Sequence, residues 1–116
     1  WYCDSGMIPF LLIARLVSKT GRTLGDLVGA MIQNYPCSGE VNSTVFDVPA
    51  TLKRVEAAYP GGEIVRIDGL SIEFEDWRFN LRGSNTEPVI RLNVETRVDH
   101  DLMVSKTAEL LALIRA

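Results

Sequence analysis

The sequence predicts a two-layer α+β fold, in which a mainly antiparallel sheet of four to five strands packs against two helices. Three segments carry this prediction, because apolar and polar residues alternate along each of them with a period of two, as in strands that bury one face. These segments are Leu70–Phe74, Trp77–Arg82 and Ile90–Glu95. The expected order of elements in this part of the chain is strand, helix, four strands, helix.

Two further helices are predicted near the start of the chain. Ser5 is a candidate cap of the first helix and Gly21 its candidate end. The mostly apolar run Ile8–Leu16 predicts that this helix is buried. Thr23 and Asp26 have the spacing of a capping box at the start of the second helix. Because two helices cannot make a complete domain, we expect this part of the chain to belong to a preceding domain.

The segment Pro36–Gly39 is the predicted linker, because the residue pattern changes after it. Glu40–Phe46 is a candidate strand, and Asp47 opens a helix that ends at Tyr59–Gly62. The expected domain boundary therefore falls between residues 36 and 37.

A hairpin turn is predicted at Asp68-Gly69, a pair that favours the type I′ turn with positive φ at both positions. The strand before this turn is Ile64–Ile67, and Asp99 is the predicted cap of the last helix. The apolar residues expected to supply much of the core are Ile64, Leu70, Ile72, Trp77, Phe79, Ile90, Leu92 and Val94.

Composition limits the classes of function. The chain has 116 residues and a net charge of −3, which gives no reason to expect nucleic-acid binding. The longest apolar run, Met7–Val17, is too short for a membrane span of about 20 residues and is interrupted by Arg15. Cys3 and Cys37 are expected to be free thiols of a cytoplasmic protein, since one such pair carries little information about a disulfide.

The loop between the last two alternating segments gathers donors for an anion. Alternation places Arg82 and Arg91 on the polar faces of their strands, and a guanidinium offers two parallel donors to a phosphate. Gly83 is expected to turn the backbone so that successive N–H groups converge on the anion. The candidate phosphate ligands are Arg82, Gly83, Ser84, Asn85, Thr86 and Arg91.

Other interpretations remain open on these residues alone. Serine, asparagine, threonine and glycine are also common in turns for local reasons, so a non-catalytic α+β interaction module remains an alternative. His100, between two aspartates, is expected to be a surface residue, and Cys37 has no evident neighbouring base. Trp77 and Phe79 share a face with Leu81 and are therefore expected in the core rather than against a sugar. The sequence predicts neither a catalytic residue nor a metal ligand.

The run Arg-Gly-Ser-Asn-Thr-Glu-Pro at residues 82–88 resembles the phosphate-binding loop of the α-D-phosphohexomutases, the phosphomannomutase/phosphoglucomutase family. In that family the loop belongs to the fourth, C-terminal domain. The opening Tyr2–Pro9 resembles the segment leading into the last helices of the third domain, and the whole pattern is most similar to the bacterial phosphomannomutases. The resemblance implies that residues 1–36 are the helical tail of domain three. Residues 37–116 are then the phosphate-binding domain, with a TBP-like β-α-β4-α fold.

The resemblance also implies a function. The parent would be an intramolecular phosphotransferase of the isomerase class that interconverts mannose 6-phosphate and mannose 1-phosphate and so supplies GDP-mannose synthesis. A phosphoglucomutase or phosphoglucosamine mutase is the alternative, because the loop that reads the sugar is not in this sequence. The phosphorylated serine and the magnesium loop belong to other domains, so we expect magnesium in the parent, and no metal and no activity in this part alone. The implied partners are a phosphosugar and the N-terminal domains, with Pro36–Gly39 as a hinge.

Overall fold

The computed structural model describes residues 5–84 and 86–116. The chain divides into two compact units, Trp1–Gln33 and Asn34–Ala116. The helices of the described residues are α1 (Met7–Thr20), α2 (Leu24–Asn34), α3 (Val48–Ala58) and α4 (His100–Arg115). The strands are β1 (Val41–Thr44), β2 (Glu63–Val65), β3 (Leu70–Glu73), β4 (Trp77–Gly83) and β5 (Val89–Thr96).

The first unit contains α1 and most of α2. Gly21 ends α1 with φ 63°, and Thr23 and Asp26 form the predicted capping box, in which each backbone N–H donates to the other's side chain at 3.1 Å. Ser5 accepts a hydrogen bond from the Met7 N–H, although Gly6 is the cap residue. The prediction that α1 is buried is wrong, since none of its residues is buried. Neither α1 nor any other helix of the described residues is long and apolar enough to cross a membrane.

The second unit is the predicted α+β domain. Its five strands form one antiparallel sheet in the order β1-β5-β4-β3-β2, and the order along the chain is strand, helix, four strands, helix. Asp47 caps α3 and Asp99 caps α4, each through a carboxylate that accepts a backbone N–H. The fold class predicted from period-two alternation is therefore confirmed.

The core lies between one face of the sheet and the two helices α3 and α4. The buried apolar residues of the central strands are Leu70, Ile72, Phe79, Leu81, Ile90, Leu92 and Val94, and they form one cluster with Val55, Tyr59, Met103, Leu110 and Ile114 from the helices and their ends. Trp77 is partly buried beside this cluster. Ile64 is 40% exposed, so its assignment to the core is wrong, because the short strand β2 lies at the edge of the sheet.

The predicted type I′ turn is also wrong. Strand β2 ends at Val65 and β3 begins at Leu70, so a longer loop joins them and only Gly69 has a positive φ, of 79°. Gly69 is required by close packing as well, since a Cβ atom there would lie 2.5 Å from the Leu81 carbonyl oxygen. Asp68 is therefore not part of a two-residue turn, and its side chain contacts Arg82 of β4.

The segment predicted as a linker is held on the sheet. The Pro36 carbonyl accepts from the Thr96 N–H at 3.0 Å, and the Ser38 N–H donates to the Val94 carbonyl at 2.9 Å. The Ser38 hydroxyl also accepts from the Val94 N–H. Because these bonds attach Pro36–Ser38 to β5, this segment is part of the domain rather than a free linker, and a hinge there stays a prediction for the parent.

Candidate anion-binding cleft

An open cleft lies at the end of β4, where the chain turns toward β5. Its volume is about 520 Å³. The residues that line it are Asp68, Gly69, Arg82, Gly83, Ser84, Thr86 and Arg91. The fold thus brings together five of the six predicted phosphate ligands, and the sixth, Asn85, lies outside the described residues.

Two of the residues that line this cleft are arginines on neighbouring strands. Arg82 and Arg91 are direct partners in the antiparallel register of β4 and β5, so their side chains leave the same face of the sheet. That face is opposite the core, because the neighbouring residues Leu81 and Leu92 are fully buried on the helix side. Like charges at directly opposed positions repel each other, so this arrangement favours an anion nearby.

In this structure carboxylates supply that negative charge. The Arg82 guanidinium donates from Nη1 to Asp68 Oδ2 at 3.0 Å, and its Nη2 lies 3.8 Å from Glu40 Oε2. The other oxygen of Glu40 is 3.5 Å from Arg91 Nη1. The sequence analysis identified neither acid as a partner of the arginines. The register of β1 on β5 accounts for Glu40. Asn42 pairs with Arg91, and Glu40, two residues before Asn42, lies on the same face of the sheet.

The backbone of the loop differs from the expectation. Gly83 is the last residue of β4 and does not have a positive φ, so it does not turn the chain. Its lack of a side chain serves packing, because a Cβ atom would lie 2.6 Å from Val48 Cγ1. The Ser84 N–H donates to the Val89 carbonyl at 2.8 Å and is not available to an anion. The side chains of Arg82, Ser84, Thr86 and Arg91 line the cleft as candidate donors.

The hydroxyls of the loop lie next to each other. Ser84 Oγ and Thr86 Oγ1 are 3.4 Å apart, and both residues line the cleft. The exit of the loop is held on β1's side of the sheet, where the Val45 N–H donates to the Pro88 carbonyl at 2.9 Å. Two hydroxyls and two guanidinium groups thus surround one small volume, which is a donor set suited to phosphate oxygens.

The other candidates are placed away from this cleft. The His100 side chain is 71% exposed, as expected for a surface residue, and Cys37 is exposed, whereas Cys3 lies outside the described residues. Phe79 is buried in the core and Trp77 stacks on Phe74, which confirms the packing interpretation. Among the described residues, no group of three or more histidine, cysteine or acidic side chains is arranged to hold a metal ion.

Two titratable groups of this domain with shifted pKa values, Tyr59 and Glu109, link the end of α3 to α4. The Tyr59 hydroxyl donates to Glu109 at 2.8 Å, and burial, followed by this bond, raises the pKa of Tyr59. Hydrogen bonds from Lys106 and then Tyr59 lower the pKa of Glu109. Lys106 also lies 5.0 Å from the ring centroid of Trp77. This cluster stabilises helix packing and takes no part in the cleft.

Comparison with known proteins identifies the domain. Residues 40–112 match the family model of the phosphoglucomutase/phosphomannomutase C-terminal domain. The chain is 55% identical to a protein named phosphohexose mutases from Xanthomonas campestris pv. campestris strain B100, with 98% of this chain and 26% of the relative aligned. It is 53% identical to a phosphomannomutase of Salmonella montevideo, over 99% of this chain and 26% of the relative. For a phosphomannomutase of Escherichia coli strain K12 the values are 50%, 97% and 25%.

The matches therefore cover nearly all of this chain, while the chain spans about a quarter of the length of these curated relatives. The family model covers β1 to most of α4, and so includes both strands that carry the arginine pair. The chain belongs to the phosphoglucomutase/phosphomannomutase family, and residues 40–112 are its C-terminal domain.

Proposed function

We propose that this chain is the substrate-phosphate-binding portion of a phosphomannomutase that interconverts mannose 6-phosphate and mannose 1-phosphate. One observation carries the proposal: Arg82 and Arg91 are direct cross-strand partners and both line a polar cleft. A phosphate dianion between two guanidinium groups turns their mutual repulsion into attraction to a shared ligand.

The cleft provides side-chain donors for such a ligand. Each guanidinium is planar and presents donors that match two phosphate oxygens at once. Ser84 and Thr86 add hydroxyls that can donate to the remaining oxygens. Asn85, in the same loop, is part of the proposal on the basis of the sequence. Gly83 is part of the proposal on the same basis, and its lack of a side chain allows the close approach to Val48.

The chain anchors the substrate and leaves the reaction to other parts of the parent. The resemblance of the loop implies a reaction in which one phosphate reacts while the other is held here. Contacts to the non-reacting phosphate then position the reacting end of the sugar, which is how remote binding energy accelerates a reaction. Because the bisphosphorylated sugar has to turn over between two transfers, the anchor must accept either phosphate, and donors that contact phosphate oxygens alone meet this requirement.

The names of the relatives indicate which sugar phosphate the parent uses. Two of the relatives above are named phosphomannomutase, which favours mannose phosphates as substrates. The relative from Xanthomonas has the broader name phosphohexose mutases, so the same portion of a phosphoglucomutase or phosphoglucosamine mutase is the alternative. For the parent we also propose a magnesium ion held by a domain outside this chain, a cytoplasmic location and a role in GDP-mannose supply. The assignment of residues 1–36 to the tail of the preceding domain belongs to the same proposal.

Titration of the isotopically labelled 116-residue chain with inorganic phosphate, followed by NMR, tests the anchor. We expect saturable amide shifts centred on Arg82–Thr86 and Arg91, and loss of these shifts in Arg82→Ala. Arg97→Ala is the matched control, since the Arg97 side chain is exposed, does not line the cleft and forms an ion pair with Glu73 at 3.9 Å. Equal phosphate binding by the unchanged chain and by a folded Arg82→Ala variant would refute the anchor.

A further inference from the structure

Two carboxylates occupy the neighbourhood that the proposed phosphate needs. Glu40 lies 3.5 Å from Arg91 and 3.8 Å from Arg82, so one acid bridges both arginines. Asp68 makes the shorter contact, at 3.0 Å from Arg82 Nη1. With two positive and two negative side chains, the group is formally neutral. An anchor built for the tightest possible phosphate binding would not contain these acids.

The position of Asp68 is fixed by its surroundings. The Asn80 side-chain amide donates to the Asp68 carbonyl at 2.8 Å and to the Ser71 hydroxyl at 2.9 Å. Gly69 packs directly on the backbone of Leu81 and Arg82, which brings the loop close to β4. These two contacts hold the Asp68 backbone close to β4, which keeps its exposed carboxylate within reach of the Arg82 guanidinium.

These acids have two opposing effects on a bound phosphate. By pairing with the guanidinium groups they hold them in place, which favours binding. By their charge they repel a dianion in the same cleft, which disfavours binding. The positioning of the guanidinium groups by the acids is the weaker of the two effects, because ion pairs this exposed contribute little to the order of their side chains. One unit charge roughly 6 Å from a dianion changes its affinity about three- to tenfold, after screening by salt is included.

We propose that Glu40 and Asp68 are counter-ions that lower the affinity of the cleft for phosphate and so make the phosphate exchangeable. The inference rests on the proposed function, since it concerns the same arginine pair. The acids pair with Arg82 and Arg91 and offset their charge. When phosphate binds, it takes over the guanidinium donors and the acids remain nearby as repelling charges. A reaction that must release one phosphate and then hold the other at the same site gains from this limited affinity.

Isosteric neutral variants test the counter-ion role. Inorganic phosphate is titrated at low ionic strength and mildly alkaline pH, where it is mostly a dianion, into the unchanged chain and into Glu40→Gln and Asp68→Asn. We expect each variant to bind phosphate roughly three- to tenfold more tightly. Glu95→Gln is the matched control, because it removes a carboxylate that pairs with an arginine of β4, Arg78, at 3.3 Å but does not line the cleft. Its effect on the affinity should be clearly smaller.

The outcomes separate this inference from the anchor itself. If Arg82→Ala abolishes phosphate binding while Glu40→Gln and Asp68→Asn bind phosphate equally or more weakly, the anchor stands and the counter-ion role is overturned. If Arg82→Ala leaves binding unchanged, the anchor is refuted and the counter-ions with it. In the full-length enzyme the same two variants should lower KM for the phosphosugar and also lower kcat, because release becomes slower. A purely structural role of the acids would instead raise KM or lower stability.

Discussion

Arg82 of β4 and Arg91 of β5 are direct cross-strand neighbours, and Glu40 lies within 3.8 Å of both. Opposed like charges at this spacing destabilise a sheet unless negative charge is placed between them. The domain therefore carries, on the face opposite its core, an arrangement that packing alone does not require. An anion-binding role gives it a physical reason.

Replacement of Arg82 in the full-length enzyme should impair the use of phosphosugars while the fold is kept. Loss of one charge-assisted contact costs about 1.5–3 kcal/mol, which corresponds to roughly a ten- to hundredfold fall in kcat/KM. Arg82→Lys should recover only part of this loss, since an ammonium group lacks the planar fork. Steady-state kinetics with mannose 1-phosphate gives the measurement. Unchanged kinetics in a folded Arg82→Ala enzyme would contradict the assignment.

Gly69→Ala should destabilise the domain more than Gly61→Ala does. Both glycines have positive φ, 79° and 92°, so both substitutions carry a backbone cost of about 1–2 kcal/mol. Only at Gly69 does the new Cβ meet the Leu81 carbonyl oxygen, at 2.5 Å, whereas nothing lies within 4 Å at Gly61. Overpacking of this kind adds about 1–3 kcal/mol. Unfolding by urea measures the difference, and equal losses would show that the loop can move away from β4 freely.

Leu92→Ala should lower the free energy of unfolding by about 2–5 kcal/mol, the usual range for truncation of a core leucine. Leu92 is fully buried and pairs with Leu81 across β4 and β5. Val104→Ala on α4 is the control, since Val104 is 51% exposed and its truncation should change stability by less than about 0.5 kcal/mol. A near-zero effect of Leu92→Ala would mean that the register of β5 is wrong.

Stability should fall at alkaline pH partly because of Tyr59. Burial raises the pKa of Tyr59, so the folded state favours the neutral hydroxyl while the unfolded chain ionises near pH 10. The stability that Tyr59 contributes is therefore present below about pH 10 and is lost as the pH rises further.

Tyr59→Phe should accordingly be less stable at neutral pH, where the bond to Glu109 is lost, but should lose less stability above about pH 10. Tyr35→Phe, which removes an exposed tyrosine hydroxyl, is the control for the substitution itself. Urea unfolding measured between neutral and alkaline pH gives both curves. Parallel curves for Tyr59→Phe and the unchanged chain would exclude this linkage.

The purified 116-residue chain should show no mutase activity. The described residues hold no candidate metal cluster, and the resemblance places the phosphorylated serine and the magnesium loop in other domains. An assay with mannose 1-phosphate and mannose 6-phosphate, with the full-length enzyme as the positive control, gives the measurement. Turnover by the chain alone would contradict the assignment of the catalytic groups to other domains.

Local sequence signals were sufficient for most of the fold. Alternation along Trp77–Arg82 and Ile90–Glu95 predicted both the buried face and the face of the two arginines, because a strand allows only two directions for its side chains. The caps at Asp47 and Asp99 were also predictable, since an acid before a helical run satisfies the free N–H groups of the first turn.

The rest depended on distances that no local signal contains. Asp68-Gly69 matched a turn motif, but Gly69 is determined by contact with Leu81 and Asp68 by contact with Arg82. Glu40 reaches the arginines only because β1 pairs with β5, a pairing between segments far apart in sequence. The burial predicted for α1 is wrong for the same reason, since burial depends on what packs against a helix rather than on its own composition.

The bonds between Pro36–Ser38 and β5 have a consequence for dissecting the domain. Strand β1 pairs only with the first half of β5, Val89–Leu92, and Pro36–Ser38 covers the main-chain groups of Val94 and Thr96 beyond it. A chain cut to begin at residue 40, where the family match begins, leaves that half as an open edge. Open edges recruit strands from other molecules. Self-association is therefore the expected defect of such a truncation, and a cut before Asn34 keeps the edge closed.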